Sequence, residues 1–159
     1  MAPLLLERRQ LLRGLAGLGL WAWACPASAA EPIAVVMGSS SGHRALSGDR
    51  LRRVFLALPT DTDDGRRFVP VNLSQTSNVR ERFDRGVLKM SPEEVARYWI
   101  DQRLRGNKPP KSASSVELLR RVLQELPGAI SYLPISAVGS LRVLSIDGRS
   151  PSDAGYALR

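Results

Sequence analysis

The 159-residue sequence is poor in the side chains that carry chemistry: one cysteine, one histidine, and aromatic residues at 6%. A single cysteine, Cys25, excludes an intrachain disulfide framework and every zinc spacing built on paired cysteines. A single histidine, His43, sits in the Gly/Ser stretch "GSSSGH" and leaves the serines without a base in reach, so no Ser–His nucleophile is expected and the chain is read as a non-enzyme without a cofactor. The three aspartates of "TDTDDG", Asp61, Asp63 and Asp64, lack a glycine at the sixth and a glutamate at the twelfth position of a calcium loop. They read as a solvated turn, and no metal is expected. With 23 Lys and Arg against 15 Asp and Glu the formal charge is +8, but no zinc spacing or aromatic stacking motif accompanies it, which argues against nucleic acid as a partner.

Long apolar runs are also scarce. The one sizeable stretch, "LLRGLAGLGLWAWA", follows Arg8 and Arg9, contains Arg13, and ends in the small residues "CPASAA". It is short for a membrane span of about 20 residues, whereas a basic start, an apolar middle and an A-x-A ending at Ala27 and Ala29 make a signal peptide over residues 1–29. Ala22 and Trp23 ahead of Cys25 do not suit a lipid-attachment site. "RRQLLRG" resembles the twin-arginine export motif, with Glu7 departing from the usual small polar residue, and ordinary secretion stays open beside it. Cleavage after Ala29 removes the only cysteine and leaves 130 residues, enough for one domain with its own core and no transmembrane helix. The loss of Arg8, Arg9, Arg13 and Glu7 lowers the formal charge from +8 to +6. The expected location is the periplasm.

In the remainder, "PIAVVM" (32–37) has the apolar, β-branched composition of a buried strand and runs into the loop "GSSSG" (38–42). Ser47 is placed to cap a helix carrying Leu51, Val54, Phe55 and Leu58 at helical spacing before Pro59. "RFVPVNL" reads as a strand with irregular pairing at Pro70. Asn78 and Glu81 have capping-box spacing ahead of a helix to about Leu88, and "SPEE" (91–94) opens a further helix with Val95, Tyr98 and Trp99 turned inward. After the basic connection "RGNKPPKSA", Ser114 and Glu117 precede a helix with Leu119, Val122, Leu123 and Leu126. "AISYL" and "LRVLSI" are strands, and residues 151–159 read as a flexible tail. The expected architecture is α/β: a small mixed sheet flanked by about four helices, over a domain of residues 30–150.

The stretches "IAVVM", "LSGDRLRRVFLA", "SNVRERF", "YWIDQRLRGNKPPKSASS" and "LPGAISYLP" resemble, in order and spacing, the phosphate-binding proteins of ABC transporters, type II periplasmic-binding-protein-like, and more closely their short single-lobe homologues. The resemblance spans nearly the whole chain after the leader and implies one lobe of that fold. It also implies an oxyanion site at the start of the helix that holds Phe83. The family's Ser-Gly-Thr falls on Ser77, Asn78 and Val79, with Arg80 next, while the family's arginine four residues before the serine falls on Leu73. Ser131 stands where the family has glycine in "A-I-G-Y". The N-terminal strand and loop that bring further phosphate contacts in full-length members have no counterpart before Pro32.

Two functional expectations follow. In one, the protein is an exported solute-binding-like protein that recognises phosphate or another oxyanion at Ser77, Asn78, Val79 and Arg80, with Ser39, Ser40 and Ser41 completing the pocket, in the service of an ABC transport system. In the other, it is a ligand-free interaction or sensor-input module of the cell envelope that has kept the fold and works with a membrane transporter or sensor protein. The leader is testable by itself: replacing Arg8 and Arg9 together by lysine is expected to block export if the twin-arginine receptor reads the guanidinium pair, whereas ordinary secretion needs only the positive charge. Fractionation of cells expressing the double variant distinguishes the two routes.

Overall fold

A computed structural model describes residues 30–60, 65 and 67–158. Residues 1–29, expected to be a signal peptide, and Asp61, Asp63 and Asp64 therefore lie outside the described residues. Among the described residues six strands are present: β1 (Ile33–Met37), β2 (Ala45–Leu46), β3 (Val69–Asn72), β4 (Lys111–Ser112), β5 (Ala129–Pro134) and β6 (Arg142–Ile146). Four α-helices join them: α1 (Gly48–Phe55), α2 (Asn78–Phe83), α3 (Pro92–Leu104) and α4 (Val116–Glu125). The strands form one sheet in the order β2-β6-β1-β5-β3-β4. It is mixed: β1 runs antiparallel to both β5 and β6, while β2 is parallel to β6 and β3 is parallel to β5 and β4. The α/β architecture with a small mixed sheet and four helices is the expected one.

Local chemistry fixes the helix starts. Ser47 accepts from the Arg50 amide at 3.2 Å, and Asp147 accepts from Gly48 N at 2.9 Å, so the start of α1 is tied to the turn after β6. At α3 both halves of a capping box form: Ser91 Oγ accepts from Glu94 N at 3.3 Å, and Glu94 Oε2 accepts from Ser91 N at 2.7 Å, with Pro92 opening the helix. The other two expected boxes do not form. At α4 the cap is Ser115, which accepts from Leu118 N at 3.1 Å, one residue after the expected Ser114. At α2 the cap residue is Ser77 and not Asn78, and no side chain bonds the first turn. The expected single helix to Leu88 also changes pitch after Phe83, where Asp84–Leu88 continue as a π-helical turn ending at Lys89 with φ 57°.

The core lies on the sheet. Every residue of β1 is buried, and Phe55, Phe83 and Tyr132 converge on it: Phe83 stacks on Tyr132 with centroids 3.7 Å apart and meets Phe55 edge-on at 4.7 Å. Trp99 and Val95 are buried as expected from the α3 spacing, and Tyr98, half-buried, donates its hydroxyl to Leu56 O at 3.0 Å. The C-terminal segment corrects the expectation of a flexible tail: Tyr156 and Leu158 are buried, and Ile33 N donates to Leu158 O at 2.9 Å. A Ser/Gly/Pro-rich composition argues for loop backbone, and loop it is, but its two large apolar side chains find core positions. The packed domain thus runs past residue 150 to Leu158.

Because Phe83 is fully buried between two aromatic rings, Phe83→Ala is expected to cost about 3–5 kcal/mol in urea unfolding, the usual range for deleting a core aromatic. A loss below about 1 kcal/mol would mean that the stack does not anchor α2 to the sheet.

Candidate functional site

The chain leaves β3 through a turn built by its own hydroxyls. Ser74 Oγ and Thr76 Oγ1 lie 3.1 Å apart, and Ser77 N donates to Ser74 O at 3.1 Å. Ser77, half-buried at the cap of α2, keeps an extended backbone (φ −80°, ψ 124°), and its hydroxyl makes no capping bond. The amides of exposed Asn78 and half-buried Val79 head the first turn, where helix geometry supplies no intrahelical acceptor.

Arg80 turns the other way. It is buried, and its Nη1 donates to Leu73 O at 3.0 Å and to Ser112 Oγ at 3.2 Å, while Nε stands 3.6 Å from Asp84 Oδ2. A guanidinium therefore reaches the backbone of position 73, where the family resemblance expects an arginine and the chain has leucine. Its Nη2 has no hydrogen-bond partner among the described residues. The neighbouring Asp84 is also buried, and desolvation pushes its carboxyl up to about 6, with the Arg80 charge opposing the shift. Arg82, by contrast, is committed to the chain ahead of β1, donating to Glu31 O at 2.8 Å.

Arg80 and Asp84 form part of the lining of a cavity of about 650 Å³ between α2, α3 and the segment before α4. Gln75, Glu81, Arg103 and Ser112 complete its polar lining, and Trp99, Ile100, Pro109 and Pro110 give it an apolar side. Glu81 is held by Arg85 at 2.9 Å. Asp84, Ser112 and the Trp99 wall escaped the sequence reading. The i, i+4 spacing of Arg80 and Asp84 is the one signal that could have found the pair.

Ser39, Ser40 and Ser41 lie elsewhere. β1 is antiparallel to β5 and β3 is parallel to β5, so the loop after β1 leaves the sheet at the edge opposite the turn after β3. The contacts agree: Ser40, Ser41 and His43 line a separate cavity of about 260 Å³ with Pro127, Gly128 and Ala129 at the start of β5. There Ser39 O accepts from Arg142 Nη2 at 3.0 Å and Ser41 Oγ accepts from His43 N at 3.3 Å. The expectation that this loop completes the Ser77 pocket is therefore corrected by strand direction. Ser131 is buried in β5 with its hydroxyl given to Val71 O at 2.6 Å, so it faces no site.

No protein-family model matches the chain, and no curated protein does. Solved structures do. An ABC-type phosphate transport receptor from Vibrio cholerae has a TM-score of 0.62 at 13% identity, over 77% of this chain and 48% of the receptor. A putative phosphate ABC transporter substrate-binding protein with bound phosphate, from Clostridium perfringens, gives 0.62 at 17% identity over 76% and 47%. PstS from Borrelia burgdorferi gives 0.59 at 12% identity over 77% and 49%. The chain has the fold of a single lobe of the phosphate ABC transporter substrate-binding proteins. It spans about half the length of the structures it matches. No helix among the described residues is long and apolar enough to cross a membrane.

The raised Asp84 carboxyl gives a pH signature. Between the ordinary aspartate value of 3.8 and about 6 the folded state holds a proton that the unfolded state has released, so stability falls as pH rises through that window. Asp84→Asn is expected to flatten this slope. Glu31, Glu93 and Glu117, whose carboxyls are held below their ordinary value by hydrogen bonds, act with the opposite sign, so the test is the difference between the two proteins: an unchanged slope in the variant would contradict the burial of a protonatable Asp84.

Proposed function

We propose that this protein is an exported solute-binding-like lobe that takes an oxyanion, phosphate foremost, at the turn of Ser77, Asn78, Val79 and Arg80, and serves an ABC transport system of the cell envelope. The observation that carries the reading is the uncommitted Ser77 hydroxyl and first-turn amides at the start of α2, with Arg80, next in the chain, fixed at Leu73 O. N–H and O–H donors at a helix start suit a tetrahedral oxyanion. The likeness of fold to proteins described as phosphate-binding supports the choice of ligand class. A single lobe offers one set of donors and leaves the anion open to water, so the expected affinity is in the millimolar range and falls with salt.

The second reading, a ligand-free interaction module, is favoured by a different observation: Ile100 and Leu104 stand 58% and 84% exposed, one turn apart on α3, as an apolar surface that none of the described residues covers. On that reading the Ser77 turn is only a helix start, and the membrane partner, transporter or sensor, meets α3.

Titration of the protein with phosphate, sulfate and molybdate by calorimetry separates the readings. Under the oxyanion reading Ser77→Ala removes a charge-assisted bond of about 1.5–3 kcal/mol, a roughly ten- to hundredfold weaker dissociation constant. Ser77→Asp keeps stability by capping α2 and abolishes binding, because a carboxylate then occupies the donors. Absence of heat and of thermal shift with all three anions at millimolar concentration would leave the interaction module.

A further inference from the structure

The cavity of about 650 Å³ is far larger than an inorganic oxyanion needs, and its walls are chemically divided. Pro92, Val95, Trp99, Ile100, Pro109 and Pro110 make an apolar side, with Arg80 and Ser112 on the polar side. Of the two carboxylates in the lining, Asp84 faces Arg80 and Glu81 is paired with Arg85, outside the lining. Arg103 is exposed and makes no ion pair among the described residues, so although the two arginines and two carboxylates of the lining balance, its charge is the one not met by a neighbouring carboxylate. Bare phosphate would leave the indole and proline surfaces against water.

From this division we propose that the cavity receives a small organic anion: a phosphate monoester or carboxylate whose head meets Arg80 and Arg103 and whose ring or branched apolar body lies against Trp99, Pro109 and Pro110. Arg80 is suited to the head, since Nη1 is already fixed by Leu73 O and Ser112 Oγ and Nη2 is not spoken for among the described residues. Flat indole and pyrrolidine faces stack on rings without having to be ordered, because Trp99 is buried and the two prolines are held by their own geometry. The inference rests on the oxyanion reading for the role of Arg80, and on the cavity alone for the apolar body.

Phenyl phosphate and inorganic phosphate are the probes, followed by calorimetry and by the Trp99 indole N–H resonance, assigned through Trp99→Phe. Phenyl phosphate is expected to bind at least tenfold more tightly than phosphate and to shift the Trp99 indole signal, which phosphate alone leaves in place. Ala96→Trp, from an exposed position in the cavity lining, is expected to erase the gain by filling the cavity; Ile100→Gln, at an exposed wall position, does the same by removing apolar wall without adding charge if the first variant folds poorly. Equal affinity for the two probes, with phosphate binding still dependent on Ser77, overturns the cavity inference and leaves the oxyanion reading standing. A phenyl phosphate gain that survives both variants also overturns it. If neither anion binds, the oxyanion reading falls and the inference falls with it.

Discussion

The buried guanidinium of Arg80 is the interaction on which the architecture around α2, β3 and β4 depends. From one side chain on α2 it reaches the carbonyl that ends β3, the hydroxyl of Ser112 in β4, and the carboxylate of Asp84 in the π-helical turn. A two-residue edge strand such as β4 has little pairing of its own, and this tie supplements its bonds to β3. A buried charge is costly unless it is paired and hydrogen-bonded, so Arg80 and Asp84 hold each other in place. The π-helical turn, which begins at Asp84 itself, follows directly on this pair and on the stacking of Phe83, fixed one residue before it.

Strand direction is the second constraint, and it decides which loops can share a ligand. Reversal of β1 relative to β3 and β5 sends the serine loop after β1 and the serine turn after β3 to opposite edges of one sheet. Two hydroxyl-rich segments that look interchangeable in composition thus have different neighbours: one meets the start of β5 and His43, the other meets Arg80 and the Trp99 cavity. The latter has the buried Arg80 beside it, and the former the half-buried Arg142, which donates to Ser39 O.

Where a signal combined several independent preferences, the sequence was legible. Ser91, Pro92 and Glu94 satisfy three different demands of a helix start, and α3 begins there with Trp99 buried. The apolar runs of β1, β5 and β6 were equally plain. Strands of two residues were not, since β2 and β4 are too short for any period to show. Arg80 was named for its place beside Ser77, but its inward turn was hidden because an arginine on an amphipathic run reads as its solvent face; the pairing with Asp84, Leu73 O and Ser112 overrides that. The tail misled for the opposite reason: its proline, serine and glycine describe the backbone correctly, while Tyr156 and Leu158 answer to the core and not to their neighbours in sequence.

That burial brings the beginning and end of the packed lobe together. Ile33 opens β1 with a hydrogen bond to the carbonyl of Leu158, and Glu31 just before it is held by Arg82. A chain that arrives and departs at one spot behaves as a closed cassette. It can be spliced into a surface loop of another protein, or have its ends joined and new ones opened elsewhere, with little disturbance of the sheet.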